Sequence, residues 1–162
     1  METGKIIVMA NQKGGVAKTS STRNLAYSLA ELGKKVLAVD FDPQTNLTIS
    51  FGVAPAALQE TAASLMMKLV MDEALPEKES CILNIGKVDL LPSKKTLTVA
   101  EVNLLIERKD ECLAKLLAPS GQIMTTFWWT PARPLALSPS TPLLRRMRSS
   151  SPSTRSCSLW WA

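Results

Sequence analysis

The chain has 162 residues, 46% of them apolar and 20% charged, which is enough for one domain with a buried core and ordinary for a globular protein. It has no histidine, which excludes a His-based triad or a His-ligated metal, and no run of about 18 apolar residues that could span a membrane. The net charge of +5 is uneven: residues 1–118 carry 14 basic and 14 acidic side chains, whereas residues 119–162 carry five arginines and no acid.

In chain order, METGKIIVMANQ holds too short an apolar run for a secretory signal, and KIIVMA (5–10) reads as a strand buried on both faces of a parallel sheet. From Thr19 the pattern is helical, with Leu25, Leu29 and Leu32 as its apolar stripe and Gly33 at the C′ position. KKVLAVDFD (34–42) is a second strand, apolar and then acidic at its carboxyl end. Together these make a βαβ unit with a right-handed crossover. Residues 56–75 are expected as one helix stopped by Pro76, with Met66, Met67 and Met71 as core filler. CILNI (81–85) and VDLLP (88–92) read as short strands around Gly86, and 96–118 as a long amphipathic helix with a solvated charged face. Cys81, Cys112 and Cys157 are odd in number and lack a CxxC spacing, so they are expected as reduced thiols of a cytosolic protein.

The stretch NQKGGVAKTSS (11–21) carries the chemistry. A strand running into a glycine-bearing loop and then a helix that begins Lys-Thr is the setting a phosphate loop requires. Gly14 and Gly15 lack a Cβ, so backbone N–H groups of the loop, Val16 and Ala17 included, can close on phosphate oxygens. The new helix offers unpaired N–H groups and its positive dipole end. Lys18 can reach the β- and γ-phosphates, the Thr19 hydroxyl suits a Mg2+ that keeps most of its waters, and Ser20 can help hold the α-phosphate. Ala17 stands where glycine is commoner, so the backbone there has to accept a Cβ.

KGGVAKTS resembles the deviant Walker A motif of the ParA/MinD superfamily, and VDFDPQTN (39–46) is similar to the D-x-D-P-Q-x-N motif of its ParA branch. The resemblance covers about residues 4–118. It implies an α/β fold, a P-loop NTPase-like parallel sheet flanked by helices, carried here only as far as about residue 118. It implies ATP and Mg2+ as cofactors and a role in plasmid or chromosome partitioning, with hydrolysis coupled to an ATP-dependent homodimer, a ParB-like partner protein and non-specific DNA at the nucleoid. By the same resemblance Lys13 would reach across the dimer to the partner's phosphates, and Asp42 would orient or activate the attacking water. Asp40 would sit nearby at the metal end, with Thr19. Phosphoryl transfer needs mainly positioning and charge neutralisation, and two lysines, a metal and a carboxylate suffice for that.

Past Pro119 the periodicity disappears, and residues 119–162 are rich in Pro, Ser, Arg and Trp. They are expected to be either disordered or a frame-shifted reading. The family's Walker B strand, an apolar run ending in aspartate, is missing in this frame: no acid follows Glu111. Ile123-Met-Thr-Thr-Phe-Trp-Trp-Thr-Pro131 can be encoded by codons that, regrouped by one base, read Tyr-Asp-Tyr-Ile-Leu-Val-Asp-Thr, which is family-like. On that reading the central strand is lost, an edge of the sheet is exposed and ATP hydrolysis is impaired. The alternative is a non-enzymatic nucleotide-binding fragment or regulator whose basic tail touches nucleic acid.

Overall fold

The computed structural model describes residues 6–10, 17–97, 124–129 and 157–160. The first apolar run becomes β1 (Ile6–Ala10) and the second becomes β2 (Val36–Asp40), all five residues of which are buried. Between them runs α1 (Lys18–Glu31). It ends as its sequence suggests. Gly33 adopts φ 76°, and the N–H groups of Gly33 and Lys34 donate to the carbonyls of Ala30 and Leu29 at 3.0 Å each, a left-handed cap that glycine adopts without strain.

The buried face of α1 differs from the expected leucine stripe. Thr22, Ala26 and Ala30 turn inward, Leu25 and Leu29 are half-buried, and Leu32 is 75% exposed. Small side chains at i, i+4 and i+8 let the helix sit close to the sheet, so the larger residues lie at its flank.

After β2 the chain makes α2 (Asn46–Ser50) and a 3-10 turn at Pro55–Ala57. The helix expected over 56–75 is only α3 (Ala62–Val70). Thr61 and Ser64 form a reciprocal capping box that starts it, and Asp72 at φ 55° stops it, with Glu73 N–H donating to the Lys68 carbonyl at 2.8 Å. Met66 is core, as expected, but Met67 is only half-buried and Met71, beyond the helix end, is 59% exposed. Then follow α4 (Lys78–Cys81), β3 (Leu83–Ile85) and β4 (Val88–Leu91), the two strands joined through Gly86 at φ 68°. Residues 98–118 of the expected long helix lie outside the described residues.

β5 (Met124–Trp129) and β6 (Cys157–Trp160) complete a six-stranded sheet of order β3-β4-β2-β5-β1-β6, parallel except for the β3–β4 hairpin. Both segments lie within residues 119–162, the part of the chain expected to be disordered or a frame-shifted reading. β5 lies between β1 and β2, with Val8 and Val39 both in register with Phe127. Without β5, β1 and β2 would face each other across unpaired N–H and C=O groups. MTTFWW, rich in β-branched and aromatic residues, satisfies both ladders.

Ala26 and Ala30 of α1 pack with Val36, Ala38, Leu47, Phe51, Val88 and Leu90 in one cluster, against which Tyr27 and Leu29 rest. The rings of Tyr27 and Phe51 meet at 5.6 Å, tying α1 to α2. This core fixes the helix start and the carboxyl end of β2 relative to each other.

Candidate functional site

The carboxyl ends of the parallel strands and the start of α1 are where an open α/β sheet binds ligands. Lys13, Gly14, Gly15 and Val16 lie outside the described residues. Ala17 is described and holds φ 56°, the left-handed conformation that a glycine would adopt freely. It caps α1 without a side-chain hydrogen bond, so no side chain of the cap takes the first-turn N–H groups that face an incoming anion. Lys18 and Thr19 are half-buried in that first turn, and Ser20 is exposed. Burial pushes the Lys18 ammonium below its ordinary range, and the nearby Asp42 carboxylate opposes that shift. The lysine and the aspartate, 24 residues apart in sequence, are therefore brought within electrostatic reach.

The two aspartates of the D-x-D pair do different things. Asp40, the last residue of β2, is fully buried. Its Oδ2 accepts hydrogen bonds from the Thr48 N–H at 2.7 Å and the Thr48 hydroxyl at 2.5 Å, and its Oδ1 accepts from the Asp42 N–H at 3.2 Å. Burial raises the Asp40 carboxyl to about 6, against the pull of these hydrogen bonds. Both its oxygens are thus engaged by the protein, and a cation at this carboxylate would have to displace those donors. Asp42, 4% exposed, accepts from the Gln44 N–H at 2.8 Å through Oδ1. Its carbonyl accepts from the Thr45 N–H and the Ser93 hydroxyl, each at 2.9 Å.

Thr45 sits at φ 58°, a rare conformation for a β-branched residue that costs on the order of 1–3 kcal/mol, held by the turn it closes onto Asp42. Thr48 and Ser93 are the site residues that sequence reasoning missed. Ser93 follows β4 and meets this corner only through the fold, donating its N–H to the Thr48 hydroxyl at 2.9 Å. Thr22, one turn along α1, has a buried hydroxyl without a hydrogen-bond partner among the described residues.

As a setting for Mg2+, the expected donors are the helix-start hydroxyl of Thr19 and the hard carboxylate of Asp40 at the end of β2. That suits an ion which takes most of its ligands from water and phosphate. Among the described residues no group of three or more His, Cys, Asp or Glu forms a denser cage, and none of their helices is long and apolar enough to cross a membrane.

Residues 4–121 match the family described as AAA domain. A chromosome-partitioning ATPase Soj of Thermus thermophilus is 42% identical over 98 residues, covering 60% of this chain and 35% of that protein. An uncharacterised protein of Mycobacterium tuberculosis is 38% identical over 118 residues, covering 71% of this chain, and the chain spans only 36% of its length. Among solved structures, the cobyrinic acid a,c-diamide synthase of Mycobacterium smegmatis with bound ADP and magnesium superposes with a TM-score of 0.62 at 31% identity, covering 77% of this chain and 50% of that one.

Proposed function

The chain belongs to the AAA domain family, in its ParA-type branch, and from that premise we propose that it binds Mg2+-ATP at the start of α1 as a partitioning ATPase does. The observation that carries the reading is the start of α1 at Lys18, after the glycine-bearing stretch that follows β1, together with the buried Asp40–Asp42 corner at the exit of β2. Lys18 neutralises the β- and γ-phosphates, and Ala17 to Ser20 offer first-turn N–H groups to them together with Gly14, Gly15 and Val16 of the preceding loop. Thr19 holds Mg2+, which when bound supplies charge neutralisation to the phosphates. Asp42 orients a water, and Asp40, taken as the more distant metal-end carboxylate, acts from behind by holding Asp42. Lys13 reaches a partner copy's phosphates in an ATP-dependent homodimer. A ParB-like protein and non-specific DNA are the partners, and the chain acts in plasmid or chromosome partitioning in the cytoplasm, at the nucleoid.

Hydrolysis is impaired in this chain. β5 stands where the Walker B strand is expected, yet it ends Trp128-Trp129, and no acid follows Glu111 anywhere in the sequence. The family match ends at residue 121, beside the change in composition. Both observations support a frame-shifted reading of the coding sequence from about residue 120, in which an aspartate falls across positions 129 and 130. Re-reading the DNA across codons 110–162 tests this: one corrected base should restore Tyr-Asp-Tyr-Ile-Leu-Val-Asp-Thr, and a confirmed frame refutes it. For ATP itself, calorimetric titration of Mg2+-ATP should show binding that Lys18→Ala weakens on the order of 100-fold, the loss of a charged hydrogen bond worth about 3 kcal/mol. Equal binding by both proteins sinks the reading. Salt-sensitive DNA binding that survives Lys18→Ala but vanishes on deleting 119–162 would favour a nucleic-acid-contacting regulator instead.

A further inference from the structure

The polar corner behind Asp42 is built around one hydroxyl. A threonine hydroxyl has one hydrogen to donate and two lone pairs to accept with. In Thr48 the hydrogen goes to Asp40 Oδ2, and a lone pair takes the Ser93 N–H at 2.9 Å. Thr48 is fully buried, as are Asp40 and Ser93, so no water need share these bonds. Asp40 in turn holds the Asp42 N–H, and the Ser93 hydroxyl holds the Asp42 carbonyl. The main chain of Asp42 is therefore gripped on both sides by two residues that share Thr48. Just before Ser93, the Pro92 carbonyl accepts from the Ala62 N–H at 2.8 Å, which fastens the same loop to the first turn of α3.

We propose that Thr48 is a positioning residue for Asp42, joining the β2 exit, α2 and the loop after β4 so that the carboxylate keeps its place at the end of the sheet. The inference rests on the nucleotide-binding reading above. It goes beyond that reading by assigning the site's geometry to a residue outside both motifs and to a loop some 50 residues further along the chain. Coupling of this kind needs a contiguous network, and here each link is a hydrogen bond between buried groups.

The test uses the full chain and a fluorescent ATP analogue, titrated with Mg2+ and again in EDTA. Thr48→Val keeps the shape and removes the hydroxyl. It should lower Mg2+-dependent affinity on the order of tenfold, as loss of an outer-shell partner does, and leave affinity in EDTA within about twofold. Thr48→Ser, which keeps the hydroxyl, should restore binding to within about threefold. Should Thr48→Val fail to fold, Ser93→Ala carries the test, because it removes only the bond to the Asp42 carbonyl; a loss of about threefold confined to the Mg2+ titration is expected. An equal fall with and without Mg2+, or no fall, overturns the positioning role and leaves the nucleotide site standing. A wild-type protein with no Lys18-dependent binding overturns the functional reading itself, and this inference with it.

Discussion

β2 and β5 lie side by side and run in the same direction, with Asp40 in register with Trp128, yet their carboxyl ends differ completely. The β2 exit carries two aspartates whose buried polar atoms are tied into a network with Thr48, Gln44, Thr45 and Ser93. The β5 exit has no acid and ends in Trp128 and Trp129. A strand's place in a sheet is set by backbone pairing and by residues that suit a pleated surface, which MTTFWW supplies. The chemistry at the strand's end depends on single side chains, and those can be absent while the backbone still pairs.

The hardest way to break that comparison is to remove β5 from the ladder. Proline at its centre cannot donate a hydrogen bond to either neighbour, so Phe127→Pro should cost about 3 kcal/mol or more and abolish cooperative thermal unfolding. A variant that melts like the parent would mean that β1 and β2 do not depend on β5.

A second, smaller effect sharpens the β2 side. The Asp40 carboxyl is raised to about 6 in the folded chain, above its ordinary value of 3.8, so the folded state holds the proton more tightly than the unfolded one. Its contribution therefore favours folding at low pH and is lost as pH rises through about 4 to 6, by roughly 3 kcal/mol for a shift of about two units. Urea unfolding across that range should show this slope superimposed on the other groups, and Asp40→Asn should remove it. An unchanged slope in the variant would show that Asp40 titrates like an exposed carboxylate.

The smallest effect is local. Ala17→Gly relieves a left-handed alanine at the helix start and should stabilise the chain by about 1 kcal/mol in chemical denaturation, less the extra chain entropy of glycine. A destabilised variant would place Ala17 outside the left-handed region in solution.

Much of this could be read from the residues, for physical reasons that can be named. The apolar runs of β1 and β2 and the Gly33 cap depend on neighbours in sequence, and so does the Lys18–Thr19 helix start. Contacts between distant residues were not legible in the same way. Ser93 reaches Asp42 across 51 residues, and nothing in its own surroundings marks it. The inward face of α1 is made of Thr22, Ala26 and Ala30, because closeness to the sheet selected small residues over the more conspicuous leucines. α3 is short because Thr61 and Ser64 cap each other, a box closed by serine where glutamate is the usual signal. β5 was obscured by the prolines and arginines around it, although its six residues suit a strand.

The central claim is that this chain keeps its nucleotide-binding end and lacks the acid that would complete hydrolysis. Binding and turnover of radiolabelled Mg2+-ATP, followed in one sample of the full chain beside its Lys18→Ala variant, test it most directly. The account predicts binding that needs Lys18, with phosphate release no faster than in buffer. Turnover above buffer that disappears in Lys18→Ala would contradict it, and would mean that the β5 exit is not missing anything the reaction requires.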